Sequence, residues 1–281
     1  MNLKPIVILT FFLLLSLLHP LLEAEVIGYS VENRPIHAHT AGEGEETVVI
    51  IGGIHGGYEW NTVVLARRVR DYFQDNPDRI PSGYRIEIIP NMNPDGLYTV
   101  TGGTPISQLD IGEIHTAPGR FNARGVDLNR NWDDGEWQPT SYWGQTEVDA
   151  GEQPFSEPET KAVRDFILRH RPEVVIFFQS AANGIWYGGK QDQWKPAKRL
   201  AEAYAAASGY DLPEGTEGPV TYEITGSASG YLYSQGIPTL VIELTTHTDI
   251  EFEQNLKGVL AVLELLPPVG RRPNGHPAGR N

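Results

Sequence analysis

The sequence predicts an α/β fold. It reads as a single domain with a mixed, mostly parallel β-sheet covered by helices on both faces. Two observations predict it. Short runs that are apolar from end to end alternate with segments whose apolar residues recur at helical spacing. Strands with no polar side are buried on both faces, which is the pattern of parallel strands under helical layers. The length of 281 residues suits one large domain or two small ones, and 40% hydrophobic residues are enough for a core.

The elements follow in order. Thr47 to Ile51 is a β-branched run stopped by Gly52-Gly53, hence a buried strand. Leu65, Val69, Tyr72 and Phe73 then mark a helix that Asn76-Pro77 ends. Arg85 to Ile89 is a second strand, closed by Pro90. Ser156-Glu157-Pro158-Glu159 has the pattern of a capping box opening a helix through Ala162, Phe166 and Ile167. Val174 to Phe178 is a third buried strand, and Ala197 to Ala207 a helix ended by Ser208-Gly209. Thr239 to Leu244 is a fourth strand and Phe252 to Leu265 the last helix. No internal repeat or low-complexity block interrupts this series.

The two ends read differently. Lys4, the apolar run Ile6 to Leu18 and the possible cleavage site Leu21-Leu22-Glu23-Ala24 form the layout of a secretory signal over residues 1–24. The alternative is an uncleaved membrane anchor, for which the run is short. Residues 25–267 then form the domain. The Pro- and Gly-rich residues 268–281 form a loose tail. The chain has no cysteine, so no disulfide can form, which suits an exported bacterial protein. A secreted or extracytoplasmic location follows, without stable membrane association once the signal is removed. The net charge of −14 argues against a nucleic-acid partner, because phosphate binding needs basic patches.

In doubly covered sheets, sites form at the carboxyl ends of the strands. Four polar positions stand there: His55, Asn93/Asp95, Gln179 and Glu243. They are far apart in sequence, and one sheet edge would bring them together. His55 and Glu59 flank a glycine loop between a strand and a helix, so both can face one metal ion. The alternative is that Gly56-Gly57 makes a turn, His55 caps it, and Glu59 stabilises the helix N-terminus.

Three further segments decide the matter. They are Asn91-Met92-Asn93-Pro94-Asp95-Gly96, the string Arg120 to Trp132 containing Gly125-Val126-Asp127-Leu128-Asn129-Arg130-Asn131-Trp132, and Val241-Ile242-Glu243-Leu244 following Tyr222. With these the chain resembles the zinc carboxypeptidases of the carboxypeptidase A type, from the Ser30-to-Ile36 lead-in to the last helix. The resemblance implies a carboxypeptidase-like fold and a bound Zn2+. It implies removal of C-terminal residues from peptide or protein chains. His55 and Glu59 stand for the paired zinc ligands, spaced H-x-x-x-E where the family has H-x-x-E. Glu243 stands for the general base, Arg130 with Asn129 for the grip on the substrate carboxylate, and Arg120 for the oxyanion donor. Arg124 competes with Arg120 for that last place. Tyr222 stands for the tyrosine that closes over the chain end, and Ser229 for the residue that sets side-chain preference. Ser229 is small and polar and names no preference.

The family's third zinc ligand is a histidine, and this sequence has Gln179 there, followed by Ser180. An amide oxygen is a harder and weaker zinc donor than an imidazole nitrogen. Three outcomes are open: Gln179 coordinates through its oxygen, another group such as His247 substitutes, or no metal binds and the chain is a peptide-carboxylate binding module. His37, His39, His115, His170 and His276 have no matching context and are read as surface residues. Cell-wall peptides, which also end in carboxylates, are a second substrate class that an exported bacterial protein would meet.

Overall fold

The structure is a computed structural model that describes residues 24–109, 114–188, 195–213, 222 and 224–269. Residues 1–23 of the expected leader and 270–281 of the expected tail lie outside the described residues. No helix among the described residues is long and apolar enough to cross a membrane.

Nine strands and six α-helices are described. They are β1 (Ala24–Tyr29), β2 (Pro35–Ala41), β3 (Glu46–Ile51), α1 (Trp60–Asp75), β4 (Tyr84–Ile89) and α2 (Pro94–Thr101), then β5 (Thr140–Trp143), β6 (Thr146–Asp149), α3 (Pro158–His170), β7 (Val174–Ser180) and β8 (Gly184–Tyr187), and finally α4 (Lys195–Ser208), α5 (Ala228–Ser234), β9 (Thr239–Leu244) and α6 (Phe252–Glu264). Seven strands form one sheet in the order β1-β2-β4-β3-β7-β9-β8, and β5 and β6 form a separate hairpin. The four central strands run parallel, and β1, β2 and β8 pair antiparallel at the edges. This is the expected mixed sheet.

The central strands are the four apolar runs, and their side chains feed two cores. On one face Val48, Ile50, Ile176 and Ile242 pack against Leu65 and Phe73 of α1, Tyr204 of α4 and Val259 of α6. On the other, Val49, Ile51, Val175 and Phe177 pack against Phe166 and Ile167 of α3, Leu232 of α5, and Trp132. Alternate residues of each strand serve opposite cores, as the period of two requires.

The capping box does not form. Ser156 Oγ donates to Glu157 Oε1 at 2.8 Å, and Glu159 Oε1 accepts from the Val31 amide at 3.1 Å. The N-cap residue Glu157 makes no side-chain cap bond. Asn131 takes over from far away: its Oδ1 accepts from the Glu157 amide at 3.1 Å and from Thr160 Oγ1 at 2.7 Å. Its Nδ2 donates towards Ala150 O, Gln153 O and Ser156 Oγ. A local pattern loses here because a fully buried amide offers donors and acceptors the helix start can use. His37 and His39 on β2 and His170 at the end of α3 are half-buried, and His170 Nδ1 faces Arg85 Nη2 at 3.1 Å.

Asn131 also fixes the segment that carries Asn129 and Arg130. Replacing it with alanine leaves several buried backbone groups unpaired. Asn131→Ala is expected to lose about 2–4 kcal/mol of stability. Urea unfolding measures this, and a midpoint unchanged from the parent would show that the buried amide is dispensable.

Candidate metal and peptide site

The carboxyl end of β3 runs into Gly52-Gly53-Ile54-His55. A side chain at Gly52 would meet Thr62 O at 2.6 Å, and Gly53 takes a positive φ of 65°. Both constraints favour glycine. The chain then makes a helical turn, with the amides of Tyr58 and Glu59 pointing back to His55 O. Gly57 N donates to Gly119 O at 3.1 Å, which packs this turn against the 117–120 segment. A helical turn places residues four apart on one face. His55 Nδ1 and Glu59 Oε1 accordingly lie 2.6 Å apart, both buried. The residue inserted relative to the H-x-x-E spacing is absorbed in that turn.

Behind His55 stands Asp127, a fully buried carboxylate. Its Oδ1 is 3.4 Å from His55 Nε2, longer than a regular hydrogen bond, and accepts from the Asn129 amide at 2.9 Å. Its Oδ2 accepts from Arg120 Nε and Nη2, each at 2.8 Å. Burial acts to raise the pKa of Asp127, but the Arg120 and Arg130 guanidiniums and His55 outweigh it and hold the carboxyl well below its usual range. A carboxylate behind a histidine orients the ring and makes its other nitrogen a better ligand. Sequence reasoning quoted Asp127 within the Gly125–Trp132 string and gave it no role. Its signal was a charged residue between apolar neighbours in an otherwise buried run.

One cavity of 560 Å3 collects the remaining residues. His55, Glu59, Gln179 and Glu243 line its floor at the strand ends, and Arg120, Asn129, Arg130, Tyr222 and Ser229 line its walls. The nine residues to which the resemblance gave a role therefore line one cavity. Gln179 and Glu243 are direct partners in the β7–β9 register, so their side chains share a face. Arg120 is buried under the ring of Trp143, 4.9 Å away, whereas Arg124 is exposed, reaches Glu157 at 3.4 Å and does not border the cavity. The geometry separates the two competing arginines. Arg130 is buried and held by its own neighbours: Nη1 donates to Asn129 O at 2.7 Å and Nη2 to Tyr142 O at 2.9 Å. Each terminal nitrogen keeps a second N–H for a ligand.

Asn93 and Asp95 do not join the site. Asn93 Oδ1 caps α2 by accepting from the Gly96 amide, and Asp95 ties down the start of the chain through Ser30 Oγ and Arg34 Nη1, each at 2.6 Å. Sequence reasoning also missed the aromatic wall. Tyr58 packs edge-on to Trp143 at 5.0 Å and against the His247 ring at 4.4 Å. Trp143 sits on the hairpin β5–β6, which carries no apolar periodicity to announce it.

The floor suits a cation. Glu59 Oε2 is buried with no hydrogen-bond partner, and His55 offers Nδ1 on the same side. Burial and the Glu59 carboxylate push Glu243 up to about 8, against the opposing pull of Arg120. Two buried carboxylates lining one pocket are short of positive charge, which a divalent ion could supply. The donors are an imidazole nitrogen, a carboxylate and the Gln179 amide. His247 does not complete a three-residue set: its Nδ1 lies 3.1 Å from Ser180 Oγ. Among the described residues, no three of His, Cys, Asp and Glu converge on one point.

Comparison with known proteins places this architecture. The chain is 26% identical to a carboxypeptidase B from Astacus astacus over 244 residues, covering 77% of this chain and 76% of that protein. It is 31% identical to murein peptide amidase A from Escherichia coli over 142 residues, covering 47% of this chain and 48% of the amidase. The fold matches a carboxypeptidase A from Helicoverpa armigera with a TM-score of 0.66 at 20% identity, over 86% of this chain and 68% of that one. The family model for zinc carboxypeptidase matches residues 11–260. A parallel sheet edge carrying His55, Glu59 and Glu243, together with that match, leads to one conclusion: the chain belongs to the zinc carboxypeptidase family.

Proposed function

We propose that the protein is an exported, zinc-dependent metallocarboxypeptidase that hydrolyses the last peptide bond of chains ending in a free carboxylate. The observation that carries this reading is the convergence of His55, Glu59, Gln179, Glu243, Arg120 and Arg130 on one cavity. His55, Glu59 and the oxygen of Gln179 would hold the metal. When bound, the ion polarises the scissile carbonyl and acidifies water beside it.

The remaining work falls to the chain's own residues. Arg130 and Asn129 grip the terminal carboxylate through the free N–H groups of the guanidinium. Tyr222, on the cavity wall, closes over the chain end. Ser229 borders the space for the terminal side chain. Glu243 takes a proton from the attacking water as its oxygen bonds to the carbonyl carbon. The carbonyl oxygen becomes an oxyanion, and the Arg120 guanidinium stabilises it. When the C–N bond breaks, Glu243 delivers that proton to the leaving amine. The raised pKa of Glu243 suits a group that must both accept and return a proton.

A second reading rests on Gln179. If its amide holds metal too weakly, the cavity keeps the carboxylate grip and becomes a peptide-binding module without turnover. The substrate class has two versions. Ordinary peptides fit the carboxypeptidase relatives, and cell-wall peptides fit the relative that is a murein peptide amidase. Comparing release from a cell-wall tetrapeptide and from a plain L-peptide separates them.

Three measurements test the reading. Mass spectrometry of purified wild type and Gln179→His is expected to find near one zinc per chain in both. Zinc in the histidine variant alone would hand the lead to the binding module. Glu243→Gln is expected to lower kcat by about 10²–10⁴-fold with peptide binding retained. Unchanged hydrolysis would remove Glu243 from the mechanism. In the metal-free protein, the Glu243 pKa is raised from 4.5 to about 8 by burial and by Glu59. The folded state therefore keeps a proton that the unfolded chain has released. That contribution to stability is present below 4.5 and lost as pH rises through 8. Metal-free Glu243→Gln cannot ionise, so its Tm should exceed wild type by a margin growing from pH 5 to pH 8, to on the order of 10 °C. Parallel melting curves across that range would contradict the shift.

A further inference from the structure

His247 borders the cavity and has no part in the reaction as derived above. Its hydrogen bonds nevertheless define which ring nitrogen carries the proton. Asn61, in the first turn of α1, donates from Nδ2 to Thr246 O at 2.8 Å and to Asp249 O at 2.9 Å. Both acceptors are carbonyls, so the amide orientation is fixed and the other terminal atom is the oxygen. Ser180 Oγ donates to that oxygen at 3.0 Å. A hydroxyl has one proton. Towards His247 Nδ1, 3.1 Å away, Ser180 Oγ can therefore only accept. His247 carries its proton on Nδ1 and a free lone pair on Nε2.

The ring is held in place in an environment that disfavours its charged form. Burial lowers its pKa from 6.5, against the opposing pull of Glu59. The Tyr58 ring packs on it at 4.4 Å. The loop that carries it is pinned by Asn61 and by Glu251, whose Oε1 accepts from the Thr245 amide at 2.9 Å. Among the described residues no side chain or backbone group bonds to Nε2, and Nε2 is not among the buried atoms that lack a partner. An acceptor is thus fixed and left open on the cavity wall.

The layers of the fold say which part of a peptide would meet it. Leu128 and Trp132, which flank Asn129 and Arg130, belong to the core beneath α3 and α5. His247 lies on the loop between β9 and α6, and the buried face of α6 (Val259, Val262, Leu263) belongs to the opposite core, with residues of α1 and α4. His55, Gln179 and Glu243 stand at the sheet edge between the two layers. A peptide with its carboxylate at Arg130 and its scissile carbonyl at the sheet edge runs its upstream part towards His247.

We propose that His247 Nε2 accepts a hydrogen bond from the backbone N–H of the residue just upstream of the scissile bond, making the site selective for acylated peptides that present an amide there. The inference rests on the proposed orientation of the peptide, with its carboxylate at Arg130. The test uses zinc-supplemented Glu243→Gln protein, in which turnover is suppressed, and isothermal calorimetry. The probes are an acetylated dipeptide acid, its depsipeptide analogue with an ester oxygen in place of the acetyl-bearing N–H, and the C-terminally amidated dipeptide. With His247 present, the ester replacement is expected to weaken binding about three- to tenfold. With His247→Ala added, the two acids should bind alike. With His247→Gln, which keeps an acceptor, part of the discrimination should return. An ester penalty of equal size with and without His247, in variants whose circular dichroism matches the parent, overturns the inference alone. An amidated peptide that binds as tightly as the acid overturns the orientation at Arg130, and the inference with it. No binding of any probe overturns both.

Discussion

The site depends on one buried carboxylate. Asp127 has no exposed surface, yet it must stay ionised, because three groups are arranged around its charge. Arg120 reaches it with two nitrogens, the Asn129 amide caps it, and His55 leans on it from the far side of the metal face. A buried charge is tolerated only when paired and hydrogen-bonded. Asp127 satisfies that condition with groups that each face the cavity with another part of themselves. His55, Arg120 and Asn129, which carry three of the proposed roles, are therefore positioned by the same carboxylate. The backbone adds its own support, through the Asp127 amide bonded to Asp149 O at 2.9 Å beside the β5–β6 hairpin.

The charge balance of the cavity follows from this arrangement. Asp127 largely neutralises Arg120, so that guanidinium cannot fully offset Glu59 and Glu243 at the floor. The rise of Glu243 towards 8 expresses that deficit, with burial the larger cause and Glu59 the next. Exchanging an imidazole for the Gln179 amide leaves the formal charge of the floor unchanged, because both are neutral. The exchange alters donor strength rather than electrostatics. The demand for a cation at the floor and the donor strength of the groups there are thus separate quantities, and an amide in place of an imidazole alters only the second.

The four central strands were legible because each is apolar along its length, and the helices between them because their apolar residues keep the 3.6 period. The edge elements were not legible. Strand β2, Pro-Ile-His-Ala-His-Thr-Ala, alternates imperfectly and contains two half-buried histidines; β8 has four residues; α2 has eight and begins with proline. The two strands exist because neighbouring strands supply their hydrogen-bond partners, and α2 is started by the Asn93 cap. That His55, Glu59, Gln179, Glu243, Arg120 and Arg130 would gather in one place was legible, since each stands at a strand end, in the glycine turn after one, or in one distinctive string. Asp95 was misread because a carboxylate after a strand looks the same whether it faces a substrate or, as here, ties Ser30 and Arg34 to the domain. Its partners lie more than sixty positions away, and no local pattern records them.

The H-x-x-x-E spacing shows how a motif can shift by one residue and keep its geometry. In a helical turn, positions three apart and four apart both fall on one face, separated by a modest rotation about the axis. The His55 carbonyl accepts from the Tyr58 amide at 3.0 Å and from the Glu59 amide at 3.4 Å, so the turn is shared between three- and four-residue closure. Glycine at 56 and 57 permits it, since a side chain at 57 would meet Gly96 O at 2.7 Å, and Gly56 takes a φ of 42°. What the site requires is two donors on one face of a turn whose backbone lies against α2. The count of residues between them is secondary to the local helix that holds them.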